Sequence, residues 1–305
     1  MTRRVNGIEV VEQEGTLRAT VLAPAKLNLL LAVGAPREDG YHELVTVMQT
    51  LDLTDRIDVD IDLWESDAID VLVEAPGVPG GDTLVTRGVE ELLRRIGTGV
   101  RVWITIEKEI PVGGGLGGGS SDAATALRTV HELLGAPLEE AQLVEIAASL
   151  GSDVPFFLLG PGSTAVATGR GELIEQVEPV PPRPWLLAFP NTHQSTAAVY
   201  GAYDPTVSRG LPADADAALR LARARDKRND LAAAARAASP EVDRLMTAFA
   251  DAGGEPVVCG SGATVAVPLA SHSDRVAFEG VATTAVPGCW LRVAWTTAPA
   301  TDDIG

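Results

Sequence analysis

A lysine, an aspartate and a run of glycines are the residues here whose types and spacing suit phosphoryl transfer. The run is Pro111-Val112-Gly113-Gly114-Gly115-Leu116-Gly117-Gly118-Gly119-Ser120-Ser121, with six glycines in the seven positions from 113 to 119. Glycine loses the most conformational entropy on folding and has no side chain to bury. Such a run persists where backbone must come very close to something. A glycine loop that feeds a helix N-terminus presents unpaired N–H donors and the positive end of the helix dipole, which together bind phosphate. Lys26 and Asn28 sit two residues apart in strand-like Leu, Ala and Val sequence, so both point to one face. Asp153 follows a helix stop at Gly151. Phosphoryl transfer needs positioning, neutralisation of oxygen charge and an acceptor for the attacking hydroxyl's proton. An aspartate beside a lysine stays ionised and can take that proton.

Taken singly, these residues have plainer readings. Lys26 equally suits an edge strand from which it reaches water, and Asp153 a turn or capping aspartate. Gly260-Ser261-Gly262 by itself favours a hairpin turn, and Tyr41-His42 a core tyrosine with an incidental histidine. The run ends without the Gly-Lys-Ser/Thr of a Walker loop. The dinucleotide fingerprint G-x-G-x-x-G is met trivially by so many glycines and discriminates nothing.

The elements that must hold these groups follow from periodicity. Ala123, Leu127, Val130 and Leu134 form a helical stripe after the loop, with Gly135 at its C′ position and Ser120 or Ser121 as the expected N-cap. Further helices are expected over 84–96, 138–150 and from Pro240, where Ser239 caps and proline takes N1. The Ala-rich stretch 211–238 also reads as helical. Strands are expected over 20–33 with an interruption near Pro24, then 44–53, 57–63, 102–106 and 185–189. Val257-Val258 and 264–267 flank a glycine turn. Residues 1–17 read as a loose polar extension. The proline-rich stretch 179–184 is the best internal boundary, dividing a nucleotide-binding and catalytic domain (1–178) from a substrate-side domain (179–305). The class is α+β in two lobes.

The 305 residues are 46% apolar and 4% aromatic, with 42 acidic against 24 basic side chains and a formal charge of −18. That balance argues against nucleic acid or an anionic membrane as partner, so a phosphate site must be built locally. Two cysteines without metal-ligand spacing argue against a disulfide framework or a zinc site. No signal peptide and no spanning segment is evident, which places the expected protein in the cytoplasm. Oligomeric state is left open.

Five segments carry a resemblance. They are Pro24-Ala25-Lys26-Leu27-Asn28, Asp39-Gly40-Tyr41-His42, the glycine run, and Gly151-Ser152-Asp153-Val154-Pro155, followed by Gly260-Ser261-Gly262-Ala263. In this order and spacing the chain resembles the GHMP kinases over nearly its whole length. The resemblance implies their two-lobed fold with the active site in the cleft between lobes, use of ATP and Mg²⁺, and a small-molecule alcohol as acceptor. Within the family, the resemblance carried by Asp39-Gly40-Tyr41-His42 and Gly151–Pro155 implies an acceptor bearing a cytidine diphosphate. On these positions Asp153 would be the base and Lys26 its charge partner. Asn28 would orient the acceptor, His42 hydrogen-bond the cytosine, and Tyr41 and Tyr200 stack on its two faces, with Thr196 also in contact. Residues 111–121 would bind ATP phosphates, and Thr83 and Lys108 would lie near the adenine, although Thr83 stands where an asparagine is expected. Asp122 stands where most of the family has a small residue, in the expected first turn of the helix. It suits the helix dipole or a cation, and the metal ligands stay unassigned. Alternatives are a homoserine- or mevalonate-type kinase and a non-catalytic nucleotide-binding regulator.

Overall fold

The computed structural model describes residues 1–5, 8–13, 15–66, 68–78, 81–224 and 228–297. The chain divides into two compact units that interleave in sequence. One comprises Met1–Pro24, Thr54–Ile110 and Gly117–Gly160, the other Ala25–Leu53, Pro111–Leu116 and Pro161–Gly305.

In the first unit, β1 (Thr2–Val5), β2 (Ile8–Gln13) and the start of β3 (Thr16–Pro36) form an antiparallel meander. The sheet continues through β4 (His42–Ser66) and beyond β5 (Asp70–Glu74) and α1 (Thr83–Ile96) to β6 (Gly99–Glu107), in the order β1-β2-β3-β4-β6-β5. The expected loose extension at 1–17 is therefore corrected. Ile8 and Val10 are buried while Glu9 and Val11 point outward, the period-2 pattern of a half-buried strand. The expected break at Pro24 is also absent, and β3 runs through it. Helices α2 (Gly118–Leu133), α3 (Glu140–Leu150) and α4 (Val154–Phe157) complete this unit, with α1 packed on α2 and α3. The stripe of α2 is buried at Ala123, Leu127 and Val130, and Gly135 adopts positive φ just past its end. Its N-cap is Gly117, not Ser120 or Ser121, and it has no side-chain cap. Gly117 is left-handed at φ 78°, a conformation that a serine would adopt only under strain.

The second unit holds β7 (Thr164–Thr168) and β8 (Leu173–Gln176), with β7 paired to β4 at Thr46–Gln49. It also holds β9 (Pro184–Phe189), α5 (Thr196–Gly201), α6 (Ala215–Arg223), α7 (Ala232–Ala238), α8 (Pro240–Asp251), β10 (Val257–Val258), β11 (Val265–Pro268), α9 (His272–Ala285) and β12 (Trp290–Trp295). A four-stranded sheet runs β10-β11-β9-β12. Leu186, Val199, Leu231, Leu245, Phe249 and Val265 belong to its buried core, each such side chain contributing roughly 1.5–3 kcal/mol. Of the Ala-rich stretch, 215–223 and 232–238 are helical, whereas 225–227 lie outside the described residues.

Candidate active site

Three separate stretches of the second unit converge on Lys26. Its side chain is 3% exposed, which removes the reading of an edge lysine reaching water. Nζ donates to Asn28 Oδ1 at 2.7 Å, Asn28 Nδ2 donates to Thr46 Oγ1 at 2.9 Å, and Thr46 Oγ1 donates to the Leu30 carbonyl at 2.6 Å. This chain fixes which end of the Asn28 amide faces the ammonium. The Lys26 backbone N–H donates to Leu116 O at 2.9 Å, tying β3 to the glycine run.

The segment 259–264 closes the other side of the run. Thr264 N–H donates to Gly114 O at 3.1 Å, and within the segment Cys259 N–H donates to Thr264 O at 2.9 Å. Gly115 has φ +78°, and a Cβ there would collide with the Cys259 carbonyl and lie 2.8 Å from Gly262 O. A Cβ on Gly260 would come within 3.4 Å of Lys26 Nζ and of Gly115 O. Gly260-Ser261-Gly262 is thus more than a hairpin turn, because its backbone lies against both the loop and the buried lysine. Ser261 Oγ is 2.9 Å from Thr196 Oγ1 at the start of α5, whose N-cap is Ser195. Burial raises the Cys259 thiol to about 12, against a lowering by Lys26.

Asn229, absent from the residues expected at the site, donates through Nδ2 to the carbonyls of Val258 at 2.8 Å and Gly260 at 2.7 Å. It holds the 258–260 backbone in place from the stretch before α7. Locally it shows only an Asn turn, its Oδ1 accepting from Leu231 N–H at 2.9 Å, while the carbonyls it holds lie about thirty residues away.

His42 meets Tyr200 and Tyr203 in this unit, while the Tyr41 ring is covered by Arg170. The His42 ring lies 5.8 Å from Tyr200, tilted, and 5.5 Å from Tyr203, edge-on. His42 Nδ1 is 3.0 Å from the Gly34 carbonyl. A carbonyl only accepts, so Nδ1 carries the hydrogen, and the neutral ring then offers Nε2 as an acceptor. Tyr41 is 53% exposed, with the Arg170 guanidinium 4.9 Å above its ring centre.

In the first unit, α2 starts inside the glycine run. By helix geometry the N–H groups of Gly118, Gly119 and Ser120 have no acceptor within the helix. Ser121 Oγ is buried and has no partner. Asp122 is the fifth residue of α2, which corrects the expected first-turn placement, and its carboxylate bonds Lys108 rather than capping the helix. β4 pairs with β6 through Arg56 and Glu107, which sets Asp55 beside Lys108. Burial opposes charge on Lys108, but Asp122 and Asp55 outweigh it and raise its pKa. Asp82 caps α1, accepting from Leu84 and Val85 N–H, and burial raises its pKa. Thr83 is the first, exposed residue of that helix. Asp153 stands at the N-cap position of α4 with no side-chain cap bond. Among the described residues no group of three or more His, Cys, Asp or Glu side chains could hold a metal ion, and no helix is long and apolar enough to cross a membrane.

Comparison with known proteins gives this arrangement a family. Residues 83–161 match the GHMP kinases N terminal domain. The chain is 40% identical over 256 residues to the 4-diphosphocytidyl-2-C-methyl-D-erythritol kinase of Pelotomaculum thermopropionicum, covering 81% of this chain and 87% of that protein. It is 39% identical over 270 residues to the protein of the same name from Bacillus thuringiensis, covering 85% and 90%. A crystal structure of a 4-(cytidine 5'-diphospho)-2C-methyl-D-erythritol kinase superposes with a TM-score of 0.71 at 34% identity, over 90% of this chain and 98% of that one. A mevalonate kinase of L. major, at 13% identity and a TM-score of 0.64 over 99% of this chain and 100% of that one, shares the α+β fold. This chain is a small-molecule kinase and belongs to the 4-diphosphocytidyl-2-C-methyl-D-erythritol kinase family of GHMP kinases.

Proposed function

We propose that the chain transfers the γ-phosphoryl group of ATP to the 2-hydroxyl of 4-diphosphocytidyl-2-C-methyl-D-erythritol, a step toward isoprenoid precursors. The observation that carries this reading is the convergence of Lys26, the glycine run and the 259–264 backbone around one buried ammonium. Backbone N–H groups from Gly113 to Ser121 receive the phosphates, and the helix N-terminus favours their charge. Asp153 accepts the proton of the attacking hydroxyl, and Lys26 offsets the charge that gathers on the transferring oxygens. Asn28, held by Thr46, aligns the acceptor. Thr83 and Lys108 lie on the adenine side.

Cytosine suits the other residues chemically. Its flat ring stacks between Tyr41 and Tyr200, and its exocyclic amine is a donor that matches His42 Nε2. Thr196 adds a hydroxyl beside Ser261. Magnesium enters with the nucleotide, since Mg²⁺ prefers phosphate and water oxygens to an all-protein cage. Asp122 is already engaged by Lys108, and among the described residues no group of three or more His, Cys, Asp or Glu side chains offers such a cage.

Replacing Asp153 by alanine tests the assignment. The expected result is a fall in kcat of roughly 10²–10⁴, the range for a general base, with ATP binding retained. Turnover near the wild-type rate would remove Asp153 from the reaction.

A further inference from the structure

The glycine run begins and ends on one buried cluster of charge in the first unit. Asp55 Oδ1 accepts the backbone N–H groups of Glu109 at 2.6 Å and Ile110 at 2.8 Å, the last residues before Pro111. Asp55 Oδ2 accepts from Lys108 Nζ at 2.5 Å. The same Nζ donates at 2.5 Å to Asp122 Oδ2, on the helix that leaves the run. A Cβ on Gly118 would lie 3.3 Å from that Nζ and 3.1 Å from Ile110 Cγ2. One ammonium therefore ties the chain entering the run to the chain leaving it.

We propose that Asp55, Lys108 and Asp122 are positioning residues that brace the base of the glycine loop, so that its phosphate-binding backbone is ordered before the nucleotide arrives. The inference rests on the reading of that loop as the phosphate site. A run with six glycines carries a large ordering entropy, and fixing its two ends removes part of it in advance, which favours binding. Stability alone accounts poorly for the cluster, because burying such an ion pair is often no better than packing apolar side chains in its place. Both carboxylates are fully buried, and two of them share one ammonium. Burial pushes Asp122 up to about 8, opposed by Lys108 and reinforced by Asp55 and Asp82. The surplus negative charge is relieved by a proton, and Asp122 Oδ1, buried without a partner, is the oxygen open to it.

The test is hydrogen–deuterium exchange of the full chain without nucleotide, followed by kinetics. Asp122→Ala should raise exchange across 111–117 severalfold while leaving α3 at the wild-type level. It should raise the KM for ATP by about tenfold, equivalent to ~1.4 kcal/mol, with the KM of the acceptor within about twofold. Asp122→Asn keeps an acceptor for Lys108 and should restore both values near pH 7. If Asp122→Ala cannot be purified, Lys108→Gln should give the same local rise in exchange. Exchange across 111–117 at the wild-type level in either destabilised variant would overturn the proposal, as would a rise equal in α3. A protein that binds no ATP yet shows the local rise would keep the brace and lose the nucleotide reading.

Discussion

Lys26 donates to Asn28, Asn28 to Thr46 and Thr46 to the Leu30 carbonyl, so the two polar groups of this strand hold each other in one arrangement. Such a network tolerates little, because removing one member leaves another buried and unpaired. At this scale the aromatic residues give the sharpest expectation. Tyr41→Ala removes a stacking face, worth about 1–3 kcal/mol per base, and should raise the KM of the cytidyl acceptor by roughly ten- to a hundredfold while the KM for ATP stays put. An unchanged acceptor KM would show that the ring does not meet the base. The Cys259 thiol, buried and raised to about 12, should resist alkylation in the folded protein at neutral pH, as mass spectrometry of the treated chain will report. The Leu, Ala and Val around Lys26 left burial and an edge strand equally open, and its burial follows only from the distant stretches packed on it. Asn229 and Arg170 were not legible, since each acts on residues far away in sequence, at Val258 and Gly260 or at Tyr41.

The elements turn these contacts into a scaffold. Gly115 shows how tightly the run is seated. Its φ of +78° disfavours any side chain, and a Cβ would strike the Cys259 carbonyl. Gly115→Ala should weaken ATP binding by roughly tenfold or more, the equivalent of the 1–3 kcal/mol typical of such strain, with the melting temperature as a check that the fold survives. Titration calorimetry giving wild-type affinity would contradict the close packing. Helices α1, α2, α3 and α8 were legible in sequence because their stripes and stops are local, as Gly135 and the Ser239-Pro240 start illustrate, whereas α4, α5 and α9 were not. The start of α2 was not, because cap propensity favours serine while the left-handed backbone at Gly117 overrides it. β1 and β2 were hidden for a different reason. Their alternation spans only Ile8 and Val10 on the buried side, and the partner that makes it meaningful is β3.

For the whole molecule, the order of motifs along the chain was legible, but the interleaving of two units was not. Strands β3 and β4 and the glycine run each contribute residues to both units, a property of contacts and not of any boundary signal such as the prolines at 179–184. The net charge of −18 makes buried carboxylates a global matter. Asp122 binds its proton more tightly in the folded state, at about 8, than its ordinary 3.8. Its contribution is fully present below about pH 4 and is lost as pH rises toward 8, because the folded state holds more protons across that window. Asp122→Asn should therefore gain stability relative to the wild type as pH rises from about 4 to 8 and level off above it. Denaturant unfolding at a series of pH values measures this, and parallel curves would place the proton elsewhere. The central claim is the reaction itself. Purified chain with ATP, Mg²⁺ and 4-diphosphocytidyl-2-C-methyl-D-erythritol should form ADP and the 2-phosphorylated acceptor in a one-to-one ratio. Turnover of homoserine or mevalonate in its place, or ADP released without a phosphorylated acceptor, would contradict it.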